Sequence, residues 1–344
     1  MTSIAIIGAG SSGLAAAHTL QDAGHTVTLF EKNSDVGGRA TTRKRAGFIY
    51  DPGAQYIKGG SAPSTALITE RFYVDDLIDI SKPVWIFDGQ GHIAEGDPRQ
   101  NADPKWNYRG GLIALPQGMA EGLHISLETR IDHLEQTTNG WSLFDESGQS
   151  LGNYQRLLIT IPATEAADLI TASQVSDDLR ERVSTLLRKA RYNPLVSVML
   201  GYRPTPRERP YYALVNTDKA HAISWLAWEH EKSPARVPEH TGLLLAQMAP
   251  QYSRENWEAP DEQISSDVTK RVAALIDEPL PDPIFTDIQR WRNALPSEKA
   301  DANELNRLTM PLGLAFCGDA FVGGRVHLAL EHGIEVARKF ISNL

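Results

Sequence analysis

A short apolar run, Ser3-Ile4-Ala5-Ile6-Ile7, leads straight into Gly8-Ala9-Gly10-Ser11-Ser12-Gly13, and no other stretch restricts the fold so narrowly. The run is continuous and largely β-branched, as in a strand buried on both faces. Ser11 to Gly24 is rich in helix formers and stops at a glycine suited to a C-terminal cap. "HTVTLFE" then alternates β-branched residues and closes on Glu31. In a strand–helix–strand unit of this span, Gly8 makes the turn, Gly10 lets a pyrophosphate approach and Gly13 lets helix and strand pack closely. The helix N-terminus adds unpaired N–H groups and a partial positive charge. Glu31 suits a ribose with free hydroxyls and repels a 2′-phosphate. The unit is therefore expected to bind a dinucleotide, with Ser12 and Lys32 beside the same site.

Those features do not separate NAD from FAD, and the next segment bears on that. Glu31 is followed by Val36-Gly37-Gly38-Arg39, where two glycines allow close approach and Arg39 can reach a phosphate or a flavin. This extended signature resembles that of the flavin-dependent amine oxidase superfamily, which includes phytoene desaturases and protoporphyrinogen oxidases. "DPGAQYI" (Asp51 to Ile57) and "FCGDAFVGGRVHLALEHGIEVARKF" near the C-terminus are similar to the other flavin-contacting segments of that group. The resemblance implies non-covalently held FAD, contacted by Gly38, Arg39, Gly53, Ala54, Gln55, Tyr56, Gly318 and Asp319. It also implies that Arg325, Val326 and His327 face the flavin pyrimidine, and that Arg130 and Ile131 lie near the adenine. A helix N-terminus there would stabilise negative charge on a reduced flavin.

The formal charge of −9 disfavours a general nucleic-acid binder. A single cysteine, Cys317, allows no intramolecular disulfide and fits a reducing compartment. It sits on the apolar stretch "LAFCGD", where a small buried hydrophobe is ordinary. No apolar run approaches the roughly 18 residues that span a bilayer, and cleavage of a leader would destroy the glycine motif. A cytoplasmic protein is expected. The histidines show no metal-ligand spacing, so no metal site is expected.

A Rossmann-type α/β FAD-binding domain assembled from separated segments, with a second α+β domain built on an antiparallel sheet, accounts for the pattern. The expected boundaries are residues 1–70, 108–170 and 298–344 for the FAD-binding domain, and 71–107 with 171–297 for the substrate domain. Residues 84–96 read as a hairpin, and 122–162 as a meander with Asn139-Gly140 at a turn, leading to a buried strand "RLLITIP". "PLVSVMLGY", "HAISWLAWEH" and "TGLLLAQMA" read as three strands of the second sheet.

Within the superfamily, "DPGAQYI", "RWR" (Arg290 to Arg292), "ISWLAWEHEKSPAR" and "FCGDAF" with "GGRV" are similar to segments of renalases. That likeness implies oxidation of misreduced nicotinamides, the 2- or 6-dihydro isomers of NAD(P), with dioxygen as acceptor and hydrogen peroxide as product. Hydride loss from a dihydropyridine yields an aromatic cation directly. The flavin would carry the chemistry, and the protein mainly has to position the ring. Amine oxidases commonly place a cage tyrosine where this chain has Arg325, Val326 and His327, which disfavours a cationic amine. Tyr56, Trp228, Gln247, Trp291 and Arg292 are the expected substrate-pocket residues. Trp225 and Trp228 should point to opposite faces of their strand, so at most one of them joins the pocket. The competing readings are a flavin amine oxidase, a desaturase acting on an apolar substrate, and an FAD-binding protein without turnover.

Overall fold

The computed structural model describes residues 1–342. Strand β1 (Ser3–Ile7), helix α1 (Ser11–Asp22) and strand β2 (Thr26–Phe30) form the expected opening unit. They belong to a five-stranded, all-parallel sheet in the order His124–Ser126, β2, β1, Arg156–Ile159, Leu314–Phe316. Alternate residues of β1 enter two different cores. Ile4 and Ile6 pack with α1 and the final helix Val326–Ser342, while Ala5 and Ile7 pack with helices Ala163–Ala172 and Asp177–Leu187. Burial on both faces is why the run carries no polar alternation.

His124–Ser126 departs from the expected meander. It pairs in parallel with β2, whereas Ile131–Thr137, Gly140–Asp145 and Ser150–Tyr154 form a separate antiparallel sheet. Three residues carry too little alternation to show which neighbour they join. The final helix lies on α1, and Gly333 permits the contact: a Cβ there would collide with the Ser12 carbonyl oxygen. This glycine was not singled out from sequence.

The second sheet has seven strands rather than the three expected. Their order is Phe285–Glu298, Arg191–Tyr202, Gly242–Met248, Ile223–Trp228, Ala213–Asn216, Val84–Phe87, Ile93–Ala94. All pairings are antiparallel except Ala213–Asn216 with Val84–Phe87. One face is covered by helix Asp261–Leu275, with Val196, Val198, Leu226, Trp228, Leu244 and Ala246 meeting Ile264, Val268 and Val272. The other face packs on the hairpin Arg43–Arg45 with Phe48–Tyr50, where Met199, Leu243 and Leu245 meet Phe48 and Tyr50. Tyr50 donates to Asp287 on the edge strand at 2.7 Å, and Arg43 pairs with the same carboxylate at 2.9 Å.

Among the described residues, no helix is long and apolar enough to cross a membrane. No group of three or more metal-ligating side chains comes together among them.

Candidate functional site

The site begins where β1 ends. Gly8 has φ +103°, and a Cβ at Gly13 would collide with the Gly8 carbonyl oxygen, so turn and helix close only on glycine. At Gly10 the space is open, with nothing within 4 Å of a Cβ position, and no side chain caps α1. That combination leaves a cradle of backbone donors facing free space. Gly37, at φ +101°, donates its N–H to the Ala9 carbonyl at 2.8 Å and brings the Gly37-Gly38-Arg39 turn against the cradle. The Glu31 carboxylate accepts from Ala9 N at 2.9 Å and from Asn33 N and Nδ2 at 3.0 and 2.6 Å. Among the described residues only Ala9 reaches Oε2, which therefore keeps accepting capacity for a ribose hydroxyl.

Arg39 lies at the centre. It forms a two-pronged pair with Asp319 at 2.6 and 2.7 Å and donates to the Asn293 and Ala294 carbonyls at 2.8 and 3.0 Å. Burial works against the charge on Arg39, but Asp319 outweighs it and raises the guanidinium pKa. His332 Nδ1 lies 3.1 Å from Gly318 N and 3.2 Å from its carbonyl oxygen, fixing the start of the Asp319 turn. Burial pushes the neighbouring Cys317 thiol up to about 12, so it stays protonated and unsuited to covalent attachment. Lys32 is paired with Glu165 at 2.6 Å, and Arg130 with Glu146 at 3.0 Å. Ile131 opens a strand next to Thr129, whose N–H reaches the Glu31 carbonyl at 2.8 Å.

The loop Asp51 to Tyr56 is held from both sides. Ala54 N donates to the Arg39 carbonyl at 2.9 Å, and a Cβ at Gly53 would collide with that same oxygen. From the second sheet, Ser197 Oγ and Trp291 Nε1 donate to the Pro52 carbonyl at 2.8 and 3.0 Å, and Gln247 Nε2 donates to the Gly53 carbonyl at 2.7 Å. Gln247 and Trp291, expected as pocket residues, are thus engaged as anchors of the loop.

Behind the loop lies a feature the sequence did not reveal. Asp51, Glu229, Lys232 and Arg236 have fully buried side chains. Arg236 reaches Asp51 at 2.8 Å and Glu229 at 2.7 Å, and Lys232 reaches Glu229 at 2.6 Å and Asp51 at 3.4 Å. Lys232 also donates to Gln55 Oε1 at 3.2 Å. Two charges of each sign in mutual contact avoid the cost of an isolated buried ion. Burial would push the Asp51 carboxyl up. Arg236, Lys232 and hydrogen bonds from Thr42 and Leu112 overcome that and hold it well below the ordinary carboxylate range.

On the site-facing side of the sheet, Tyr56 lies against Trp225 with ring centroids 6.2 Å apart, and Trp225 meets Tyr212 edge-on at 6.1 Å. The two tryptophans do face opposite ways, but the one that joins Tyr56 is Trp225. Trp228 is buried against Tyr211 on the helix-covered face, so its expected place in the pocket is corrected. Arg292 is corrected too. Its guanidinium lies over the Trp257 ring at 5.2 Å, on the side where Arg290 binds the Trp257 and Ala259 carbonyls. Trp291, one residue away, points to the opposite side of the strand and bonds Pro52. Arg325 precedes the final helix, which partly exposed Val326 and His327 open; burial disfavours charge on His327, Glu331 opposes it, and Arg325 and Lys58 add to the burial effect.

The cradle, the ribose acceptor and the stitched loops fit an FAD molecule. Residues 6–71 match the NAD(P)-binding Rossmann-like domain, and residues 82–341 match the family described as flavin containing amine oxidoreductase. An 85-residue stretch is 39% identical to 4,4'-diapophytoene desaturase (4,4'-diaponeurosporene-forming) of Staphylococcus haemolyticus, covering 25% of this chain and 17% of the desaturase. In fold, reduced UDP-galactopyranose mutase superposes with a TM-score of 0.81 at 14% identity, covering 99% of this chain and 96% of that one. Cyclohexylamine oxidase from Brevibacterium oxydans IH-35A gives 0.76 at 16% identity, with 99% of each chain covered. On the family match and the site that fits its cofactor, this chain belongs to the family of flavin containing amine oxidoreductases.

Proposed function

We propose that the enzyme oxidises dihydronicotinamide isomers, 2- or 6-dihydro-NAD(P), to NAD(P)+, with dioxygen as the final acceptor. Each turnover would convert the dihydronicotinamide, dioxygen and one proton into NAD(P)+ and hydrogen peroxide, which is metabolite repair. The FAD, when bound, supplies the two-electron acceptor for the hydride. The residues described above do the rest. The glycine cradle and Glu31 hold the dinucleotide end. Arg39 and Asp319 fix the turn beside it, and Pro52 to Tyr56 forms a floor tied to Arg39 and to the second sheet. Tyr56 and Trp225 offer flat apolar surface on which a planar ring can lie.

One observation carries the reading against a cationic amine. The two buried carboxylates behind the site, Asp51 and Glu229, are both committed to Lys232 and Arg236, and near His327 the Glu331 carboxylate accepts from Ser64 Oγ at 2.9 Å while Lys58 lies 3.8 Å from Asp103. The buried carboxylates are therefore not free to meet an ammonium group, whereas Arg325, just before the final helix, suits a substrate bearing phosphates. The resemblance to renalases supports the same reading. The family also supports amine oxidation or desaturation as the rival. Oxygen uptake with equal yields of hydrogen peroxide and NAD(P)+ from a dihydro isomer tests it. Uptake with a primary amine and none with the isomers would contradict it.

A further inference from the structure

The loop Asp51 to Tyr56 turns its carbonyl oxygens inward. The Asp51 carbonyl accepts from Gln55 Nε2 at 2.6 Å, and the Gly53 carbonyl accepts from the same nitrogen at 3.2 Å and from Gln247. The Gln55 carbonyl accepts from Asn107 Nδ2 at 2.8 Å, and that of Pro52 from Ser197 and Trp291. The N–H groups of Gly53, Gln55 and Tyr56 meet no acceptor among the described residues. The acceptors of the loop are thus occupied from behind, and a run of backbone donors is left over.

Two buried amides hold that arrangement, and a buried cation sets the orientation of each. An ammonium group can only donate. Lys232 Nζ lies 3.2 Å from Gln55 Oε1, so Gln55 Nε2 faces the Asp51 and Gly53 carbonyls. Arg236 likewise donates to Asn107 Oδ1 at 2.8 Å, which leaves Asn107 Nδ2 for the Gln55 carbonyl and for Asp51 Oδ2 at 3.1 Å. Apolar side chains of similar volume often replace buried ions without loss of stability, but they cannot orient an amide. We infer that Lys232 and Arg236 are positioning residues for the cofactor: through Gln55 and Asn107 they hold the loop carbonyls inward and leave the N–H groups of Gly53, Gln55 and Tyr56 to FAD. A flavin ring presents carbonyl oxygens and ring nitrogens that accept hydrogen bonds, and donors fixed before binding need no reorganisation. The role is the same whichever substrate is oxidised.

Two variants separate this role from a purely structural one. Gln55→Leu removes the positioned amide and keeps all four ions. Lys232→Met combined with Glu229→Gln removes one charge of each sign, keeps the Asp51–Arg236 pair and takes the cationic donor from Gln55. Each variant, loaded with FAD, should release flavin on dilution about tenfold more readily than the wild type, the equivalent of about one good hydrogen bond. Each should also change the visible circular dichroism of the bound flavin. Because Lys232 acts through Gln55, combining all three substitutions should lose no more than either variant alone. Wild-type flavin retention in Gln55→Leu overturns the inference, whether or not the second variant folds. Additive losses overturn it as well, since they would place the effect of Lys232 outside Gln55. So does a lowered unfolding midpoint with unchanged flavin retention and dichroism, which would leave the cluster a packing element.

Discussion

The cofactor side and the substrate side of this site are built by different means. Around Gly8, Gly10, Gly13, Gly37 and Gly53 the backbone itself is the binding surface, and at all of these but Gly10, where the space is open, the close approach depends on a missing Cβ. Around Tyr56 and Trp225 the surface is side chain, and its chemistry depends on which face of a strand each residue occupies. Backbone sites tolerate almost no substitution, because steric collision is absolute. Side-chain sites can be retuned one residue at a time, which is how one fold serves many substrates.

The two sides meet at Asp51, and breaking that joint should have the largest effect. Asp51→Asn leaves Arg236 and Lys232 with one carboxylate between them, and should cost about 3–5 kcal/mol, read as a drop in the unfolding midpoint of the FAD-loaded protein. The pH dependence has a defined sign. The folded pKa of Asp51 is depressed, so its contribution is fully present above the unfolded value of about 3.9 and is lost as pH falls below it. The variant should therefore show a shallower loss of stability below about pH 4.

Gly13→Ala probes the cofactor side alone. The added methyl meets the Gly8 carbonyl oxygen and should cost about 1–3 kcal/mol. It should also lower the ratio of bound flavin to protein, with the second sheet intact by proteolysis. Gln247→Ala probes the side-chain side by removing one of three anchors on the loop Pro52-Gly53. A loss of about 1 kcal/mol is expected, with a raised KM and retained flavin. Arg292→Ala should be nearly silent, within about 0.5 kcal/mol in stability and without effect on KM. A strong effect there would restore the pocket position that the structure denies it.

The same contrast governs what the sequence revealed. Gly8, Gly10, Gly13, Glu31, Gly38 and Arg39 lie within one short span, and local geometry alone dictates their types. Parity along the strand correctly separated Trp225 from Trp228, but parity cannot say which face meets the cofactor, and a register shift between Ile223 and Trp225 adds to that ambiguity. Arg292 failed for the same reason. His124–Ser126 was too short to show its partner. The burial of Glu229, Lys232 and Arg236 was not legible, because the partners of Lys232 and Arg236 include Asp51, Asn107 and Tyr108, which lie 128 to 185 residues earlier in the chain.

The most direct test of the central claim follows the flavin absorbance without oxygen while the purified enzyme is mixed with 2- and 6-dihydro-NAD(P), ordinary NAD(P)H and a simple amine. Rapid bleaching by a 2- or 6-dihydro isomer, with little from NAD(P)H and none from the amine, is the predicted result. Bleaching by the amine, or by none of the four, would contradict the account.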